Sequence, residues 1–427
     1  MSSESGPLAR FSAPTREWFA ESFPAPTQAQ SGAWQSIAKG DNTLVIAPTG
    51  SGKTLAAFLW AIDTLAGANP ELNIAAGAAP ARRGTRVLYI SPLKALAVDV
   101  ERNLRAPLAG IARTAQRMGL AEPSITIGVR SGDTPAQRRR ALISSPPDIL
   151  ITTPESLFLM LTSAARETLE TVTTVIVDEV HAVAGTKRGA HLALSLERLD
   201  NRLSRPAQRI GLSATVKPAA EVARFLSGRA QANVVAPASP KTFDLSVVVP
   251  VSDMSAPDTY PDAEASNAGT NTIWPHVEQR IVDLIEAHRS SIVFANSRRL
   301  AERLTARFNE IHAERLGVDL TPVANPGVPG GPPAHIMGSG QTYGAAPLLA
   351  RAHHGSVSKE QRANIEEDLK TGRLRCVVAT SSLELGIDMG AVDLVVQVEA
   401  PPSVASGLQR IGRAGHHFGE ILSLVPI

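Results

Sequence analysis

Thr43-Leu44-Val45-Ile46-Ala47-Pro48-Thr49-Gly50-Ser51-Gly52-Lys53-Thr54 is the stretch whose reading decides the fold. Its first five residues are apolar or β-branched and read as a buried strand. Lys53 to Leu65 reads as the helix that follows. Between them lies a turn of Thr49, Gly50, Ser51 and Gly52, in the strand-turn-helix setting that a phosphate loop requires. Gly50 and Gly52 let the backbone turn its amides toward phosphates. The helix N-terminus adds partial positive charge. Lys53 then reaches the β- and γ-phosphates of a nucleotide, and the Thr54 hydroxyl coordinates magnesium. The strict pattern begins with Gly where this chain has Ala47, a departure of one position.

The same alternation continues downstream. Arg86 to Ile90, Ser124 to Val129, Ile149 to Thr152, Val175 to Asp178 and Arg209 to Ser213 read as strands between helical patterns. Continuous apolar strands of this kind indicate a parallel sheet covered on both faces. The expected order is a disordered N-terminus at 1–10, an α/β domain at 11–233, a linker rich in Ala, Pro, Ser and Asp at 234–271, and a second α/β domain at 272–427. The second domain shows Ser291 to Ala295, Cys376 to Ala379 and Val392 to Val398 as strands and carries no phosphate loop. Residues 66–84 and 318–347 read as mobile surface insertions.

Composition bounds the class. The chain has 427 residues, 43% of them hydrophobic and 19% charged, as in ordinary globular proteins. A formal net charge of +2 decides nothing about nucleic acid, because a backbone grip can be local. Aromatics at 4% argue against a surface built mainly of stacking platforms. Cys376 is the only cysteine, so an intrachain disulfide is excluded, and its apolar surroundings read as core. No membrane span or signal peptide is evident, and the expected address is the cytoplasm.

Two further motifs carry chemistry. Val175-Ile176-Val177-Asp178-Glu179-Val180-His181 is a hydrophobic strand ending in adjacent carboxylates. Asp178 can hold magnesium, and Glu179 can orient and deprotonate the water that attacks a γ-phosphate. His181 is either a link to Ser213-Ala214-Thr215 or a plain packing histidine. In Gln409-Arg410-Ile411-Gly412-Arg413-Ala414-Gly415-His416, Arg410 and Arg413 share a helix face. They read as arginine fingers for the γ-phosphate, or else as solvated helix arginines.

Taken together, these residues resemble superfamily-two helicases of the DEAD/DEAH type, and within them the large helicase-related (Lhr) family, from about Phe23 to His416. Phe23 and Pro26-Thr27-Gln28 resemble the adenine-reading Q motif, with Gln28 as the reader. Ser91 to Leu96, Thr152 to Leu157, Ser213 to Thr215, Val293 to Arg298 and Thr380 to Gly390 resemble motifs Ia, Ib, III, IV and V. The segment Asp178 to His191, together with Arg130 to Thr134 and His353 to Ser356, is similar to the Lhr branch. The resemblance implies two tandem RecA-like domains with the ATP site in the cleft between them. It implies ATP and Mg2+ as cofactors, with Gly386 and Asp388 near the nucleotide. Lys94, Thr153, Arg298 and Ser381 have donors for phosphate contacts, although Lys94 as a solvated lysine and Asp388 as a cap stay open.

The implied activity is a nucleic-acid-stimulated ATPase that moves along single-stranded nucleic acid, with DNA and DNA repair as the first reading. An RNA helicase of the DEAD-box sort, or a fragment that binds without unwinding, are the alternatives. Duplex or DNA–RNA hybrid substrates, no membrane and a monomeric state complete the expectation. Lhr members are longer, so the second domain is expected to be incomplete and unwinding weak.

Overall fold

The apolar runs become strands buried on both faces, which a parallel sheet between two helical layers requires. A computed structural model describes residues 6–48, 50–67, 84–92, 94–214, 216–238, 243–251, 273–318, 348–384, 392–414 and 422–426. It divides into two units, Met1–Ser239 and Pro240–Ile427. The insertion readings fall largely on residues 68–83 and 319–347, outside the described ones.

Among the described residues the first unit carries β1 (Asn42–Ile46), β2 (Val87–Ile90), β3 (Ile127–Arg130), β4 (Ile149–Thr152), β5 (Thr174–Val177), β6 (Gln208–Ser213) and β7 (Ala232–Val235). Their order across the sheet is β3-β4-β2-β5-β6-β1-β7, and every pairing is parallel. Alternation along each strand feeds two cores. Val45, Tyr89, Ile151 and Leu212 join Trp34, Phe58 and Leu59 on one face. Leu44, Leu88, Leu150 and Val177 join Leu157, Leu192, Leu196 and Leu226 on the other. With both faces sealed, the strand ends are where a ligand can meet this sheet.

The second unit repeats the plan. It carries β8 (Phe243–Leu245), β9 (Ser291–Phe294), β10 (Ala350–His353), β11 (Cys376–Ala379), β12 (Leu394–Gln397) and β13 (Leu422–Pro426), ordered β10-β11-β9-β12-β13-β8 and all parallel. Cys376 is fully buried in β11, and burial pushes its thiol up, as suits an inert apolar side chain. Among the described residues no helix is long and apolar enough to cross a membrane.

Two stretches differ from their sequence reading. Residues 6–10 form hydrogen-bonded turns, with Ala9 N donating to Gly6 O and Phe11 N to Leu8 O. Leu8 and Phe11 bring apolar area to the first core, which holds that stretch in place. β8 lies inside 234–271 and forms the edge of the second sheet on β13. The strand candidate that the sequence offers within this linker, Leu245 to Val249, overlaps the observed strand only at Leu245.

Gly189 belongs to the first turn of the helix Lys187–Asp200. A Cβ there would meet the Val183 carbonyl oxygen at 1.9 Å and its carbon at 2.7 Å. Both are backbone atoms and cannot swing away. Gly189→Ala is expected to cost about 1–3 kcal/mol, read as a lower melting temperature. A melting curve identical to the parent's removes this account.

Candidate active site

β5, β6 and β1 are neighbours in the first sheet, so the residues that follow them share one rim. The phosphate loop follows β1, Asp178 and Glu179 follow β5, and Ser213 ends β6.

The loop is braced from behind by the helix Gln28–Ile37. Thr27 caps this helix and Gln30 answers it, completing a capping box. The same two side chains hold the loop. Thr27 Oγ1 donates to Ser51 O at 2.9 Å, and Gln30 Nε2 donates to Gly52 O at 3.4 Å. Tying down two carbonyls helps leave the loop's amides for an anion. Gly50 and Gly52 have φ of 81° and 76°, and a Cβ on Gly52 would lie 2.5 Å from Gln30 Nε2. Lys53 Nζ donates to the carbonyls of Ala47 and Pro48. Ala47 itself extends β1, donating its amide to Ser213 O, with its methyl in the core. That position does not call for glycine, so the departure from the strict pattern costs nothing here. Thr54 is half-buried one residue into the helix, and Thr49 lies outside the described residues.

Two glutamines stand near the loop, and their surroundings differ. Gln28 opens the helix with its side chain exposed, whereas Gln30 is buried against Gly52. The spacing Thr27-x-x-Gln30 of a capping box was the signal in the sequence.

Asp178 is buried and accepts hydrogen bonds from Tyr89 Oη and from the Glu179 amide at 2.9 Å. Burial pushes its carboxyl up to about 7, with the Glu179 charge adding to the effect and Lys53 opposing it. Tyr89 was read only as part of a strand. It is fully buried, packs on Phe58 with ring centroids 4.9 Å apart, and burial beside Asp178 raises its phenol. A lone phenol in an aliphatic strand was the available clue.

Glu179 is a non-glycine residue in the left-handed region, at φ 45° and ψ 45°. Such strain persists only where the surroundings enforce it. Here the helix Val180–Ala184 begins at once and turns His181 back toward the carboxylate. His181 Nδ1 accepts from the Ala214 amide at 3.1 Å and lies 3.1 Å from Ser213 Oγ. A backbone amide can only donate, so Nδ1 carries the lone pair and Nε2 the proton. That Nε2 faces Glu179 Oε2 at 3.3 Å. Of the two readings of His181, the structure shows the link: Glu179 to His181 to the Ser213-Ala214 turn. Thr215 lies outside the described residues.

In the second unit Arg410, one of the two arginines read as fingers, is bonded within its own unit. Its Nε and Nη2 donate to Glu384 Oε1, and its Nη1 donates to Gln397 Oε1 at 2.8 Å and Asn296 Oδ1 at 3.2 Å. Its guanidinium also stacks over Phe294 at 5.2 Å. These donors all meet side chains of its own unit. Helical spacing alone could not reveal that, because Glu384 and Asn296 lie far away in sequence. Arg413 is buried, with Nη2 donating to Glu384 O at 2.8 Å. Gly386, Asp388, Gly415 and His416 lie outside the described residues.

The expected strand contacts divide. Arg298 and Ser381 are exposed just beyond the carboxyl ends of the paired strands β9 and β11. Arg298 donates to Ser356 Oγ, His353 Nδ1 lies 2.8 Å from Ser382 Oγ, and His354 Nε2 lies 2.6 Å from Glu302 Oε1. The His353 to Ser356 run thus ties motif IV to motif V. Thr153 is buried as the cap of the helix Pro154–Leu161, its hydroxyl bonded to Ser156. Lys94 begins the helix Lys94–Arg117, and its side chain is outside the described set.

With this geometry in hand, the comparisons are specific. Residues 27–223 match the DEAD/DEAH box helicase model and 343–417 the helicase conserved C-terminal domain model. Both matches are to helicase domain models, and they fall in the first and the second unit respectively. Within that class the chain's similarity is to the Lhr helicases. The Lhr helicase/probable uracil glycosylase of Mycolicibacterium smegmatis is 72% identical over 415 residues, covering 97% of this chain and 26% of that protein. The Lhr helicase/uracil glycosylase of Escherichia coli is 55% identical over 421 residues, covering 96% of this chain and 27% of that protein. The chain therefore spans about a quarter of the length of these relatives. The structure of Mycobacterium smegmatis helicase Lhr bound to ssDNA and AMP-PNP matches with a TM-score of 0.78 at 67% identity, over 99% of this chain and 48% of that one.

Two outcomes are expected. Burial, with Lys53 adding to it, depresses His181 to about 4. A depressed histidine contributes stability that is complete above the unfolded value of about 6.5 and is lost as pH falls from there toward 4. Asp178 acts with the opposite sign over much of that range, since a raised carboxyl favours the folded state at lower pH. The imidazole is therefore best read directly: its NMR titration is expected to centre near 4, and a midpoint near 6.5 would refute the depression by burial. Arg410→Ala leaves the Glu384 carboxylate, only 13% exposed, without its ion partner. A loss of about 3–5 kcal/mol in the stability of the second unit is expected; denaturant melts unchanged from the parent would contradict it.

Proposed function

We propose that this chain is an ATP-driven motor that moves along single-stranded DNA. The observation that carries the reading is the continuous path from Glu179 through His181 to the Ser213-Ala214 turn, on the same rim as the phosphate loop. A general base needs a fixed carboxylate, and a sensor needs a connection from that base to elements that move. This path supplies both.

The residues divide the work. Lys53 and the loop amides hold the phosphates. The donor set of Asp178 and Thr54 suits magnesium, which binds through one or two carboxylates with substrate phosphates and water. Asp178 fits for a second reason: a carboxylate whose burial raises it to about 7 gains from a nearby cation. When bound, the ion would offset charge on the β- and γ-phosphates. Glu179 orients and deprotonates the attacking water, with the neutral His181 Nε2–H steadying its carboxylate. Gln30 takes the place assigned to Gln28 beside the adenine. Arg413 is assigned to the charge that develops on the γ-phosphate, and Arg410 to holding the helix Val404–Ile411 in place.

DNA is favoured because a 67%-identical helicase was solved with ssDNA and AMP-PNP. Contacts from exposed polar groups such as Arg298 and Ser381 position a strand without reading its bases, so little sequence preference follows. A place in DNA repair, with duplex or hybrid substrates, rests on the family resemblance, while a monomeric state and a cytoplasmic address rest on the sequence pattern.

ATP turnover by the parent chain is expected to rise when single-stranded DNA is added, and to rise less with RNA. Glu179→Gln is expected to lower turnover by about 10²-fold or more, while titration with a fluorescent ATP analogue still shows binding. Turnover that survives the change removes Glu179 as the base.

A further inference from the structure

Arg188 lies in the Lhr-like segment after Glu179, and nothing in the site described so far uses it. It sits in the first turn of the helix Lys187–Asp200, directly after Lys187. Two cations at the positive end of a helix dipole are locally unfavourable. The helix therefore has no reason of its own to place Arg188 there. The reason lies in three contacts across the rim.

Arg188 Nε and Nη2 grip the two oxygens of Glu155 as a fork, the second at 2.9 Å. Its Nη1 donates to the Pro92 carbonyl. Glu155 stands in the first turn of the helix after β4, and Pro92 in the connection after β2. β4, β2 and β5 are consecutive in the sheet. One guanidinium thus joins the loops at the carboxyl ends of three neighbouring strands, one of which bears Asp178 and Glu179. The hydrogen bonds from Arg188 hold the Glu155 carboxyl down to about 2, so the pair stays ionised at any ordinary pH. Both side chains are well exposed, at 37% and 56%, so simple charge attraction is weak here. What the fork supplies is geometry, since its planar donors fix two partners at one distance and angle.

We propose that Arg188 is a positioning residue for the strand-gripping surface: it sets the spacing between the loop after β2 and the loop after β4 and ties that spacing to the Asp178–Glu179 end of β5. The proposal rests on the motor reading above and deepens it. Phosphates recur along a nucleic-acid strand within a limited range of spacings, so two loops share one strand only while their separation stays within that range. Movement of the segment after Glu179 during turnover would then reach both loops through Arg188 at once. Lysine cannot substitute, because a point charge on a flexible stem cannot hold a carboxylate and a carbonyl in one plane.

The test measures ATP turnover against single-stranded DNA concentration for the parent chain, Arg188→Ala, Arg188→Lys and Glu155→Gln, with a melting curve for each. The half-saturating DNA concentration is expected to rise roughly tenfold in Arg188→Ala, with little recovery in Arg188→Lys. Glu155→Gln keeps its size and one acceptor, so a smaller shift in the same direction is expected. The KM for ATP is expected to move far less than the DNA term. A merely structural arginine would lower the melting temperature and leave the DNA term unmoved, which overturns the proposal. So would full recovery by Arg188→Lys. A parent chain whose turnover ignores DNA removes the motor reading and this proposal together. A DNA-stimulated parent with unchanged variants removes only the role of Arg188.

Discussion

Parallel strand pairing is the constraint on which the rest depends. It delivers every carboxyl end of a sheet to one rim, and in the first unit that rim gathers the phosphate loop, the carboxylates and the Ser213-Ala214 turn. Strands buried on both faces leave chemistry little other place to occur. The same constraint explains why the chain carries so many short, unbroken apolar runs. Each must satisfy two cores at once, as Leu44 and Val45 do on opposite faces of β1.

Electrostatics at this rim follow from how little water reaches it. Asp178 is buried beside another carboxylate, so its proton is held more tightly than usual, and a bound cation is the natural remedy. His181 is buried near Lys53 and stays neutral, with its Nε2 facing Glu179. Its acceptor nitrogen is in turn fixed by the Ala214 amide. A chain of fixed donors and acceptors can report a change at one end to the other, which a solvated histidine could not do.

The second unit shows the same economy turned inward. Arg410 bonds to Glu384, Gln397 and Asn296 and lies over Phe294, gathering the ends of β9, β11 and β12. His353 and His354 do similar work for the neighbouring loops. Arginine suits this role because its donors diverge in a plane and its face can stack.

Much of this was legible without coordinates. Two α/β units, the phosphate loop, the paired carboxylates and the family follow from local pattern, because strand burial, tight turns and helix starts leave their mark within a few residues. Lys53, Thr54, Asp178 and Glu179 could be named for that reason. What the tertiary structure alone decided depends on partners distant in the chain: Tyr89 on Asp178, Ser213 and Ala214 on His181, Glu384 on Arg410, and Glu155 with Pro92 on Arg188. Gln30 over Gln28 is the intermediate case, since the capping box is local but the contact with Gly52 is not. A sequence records which side chains are available at each turn of backbone. Which of them meet is set by the order of strands in the sheet, and that order is a property of the folded chain.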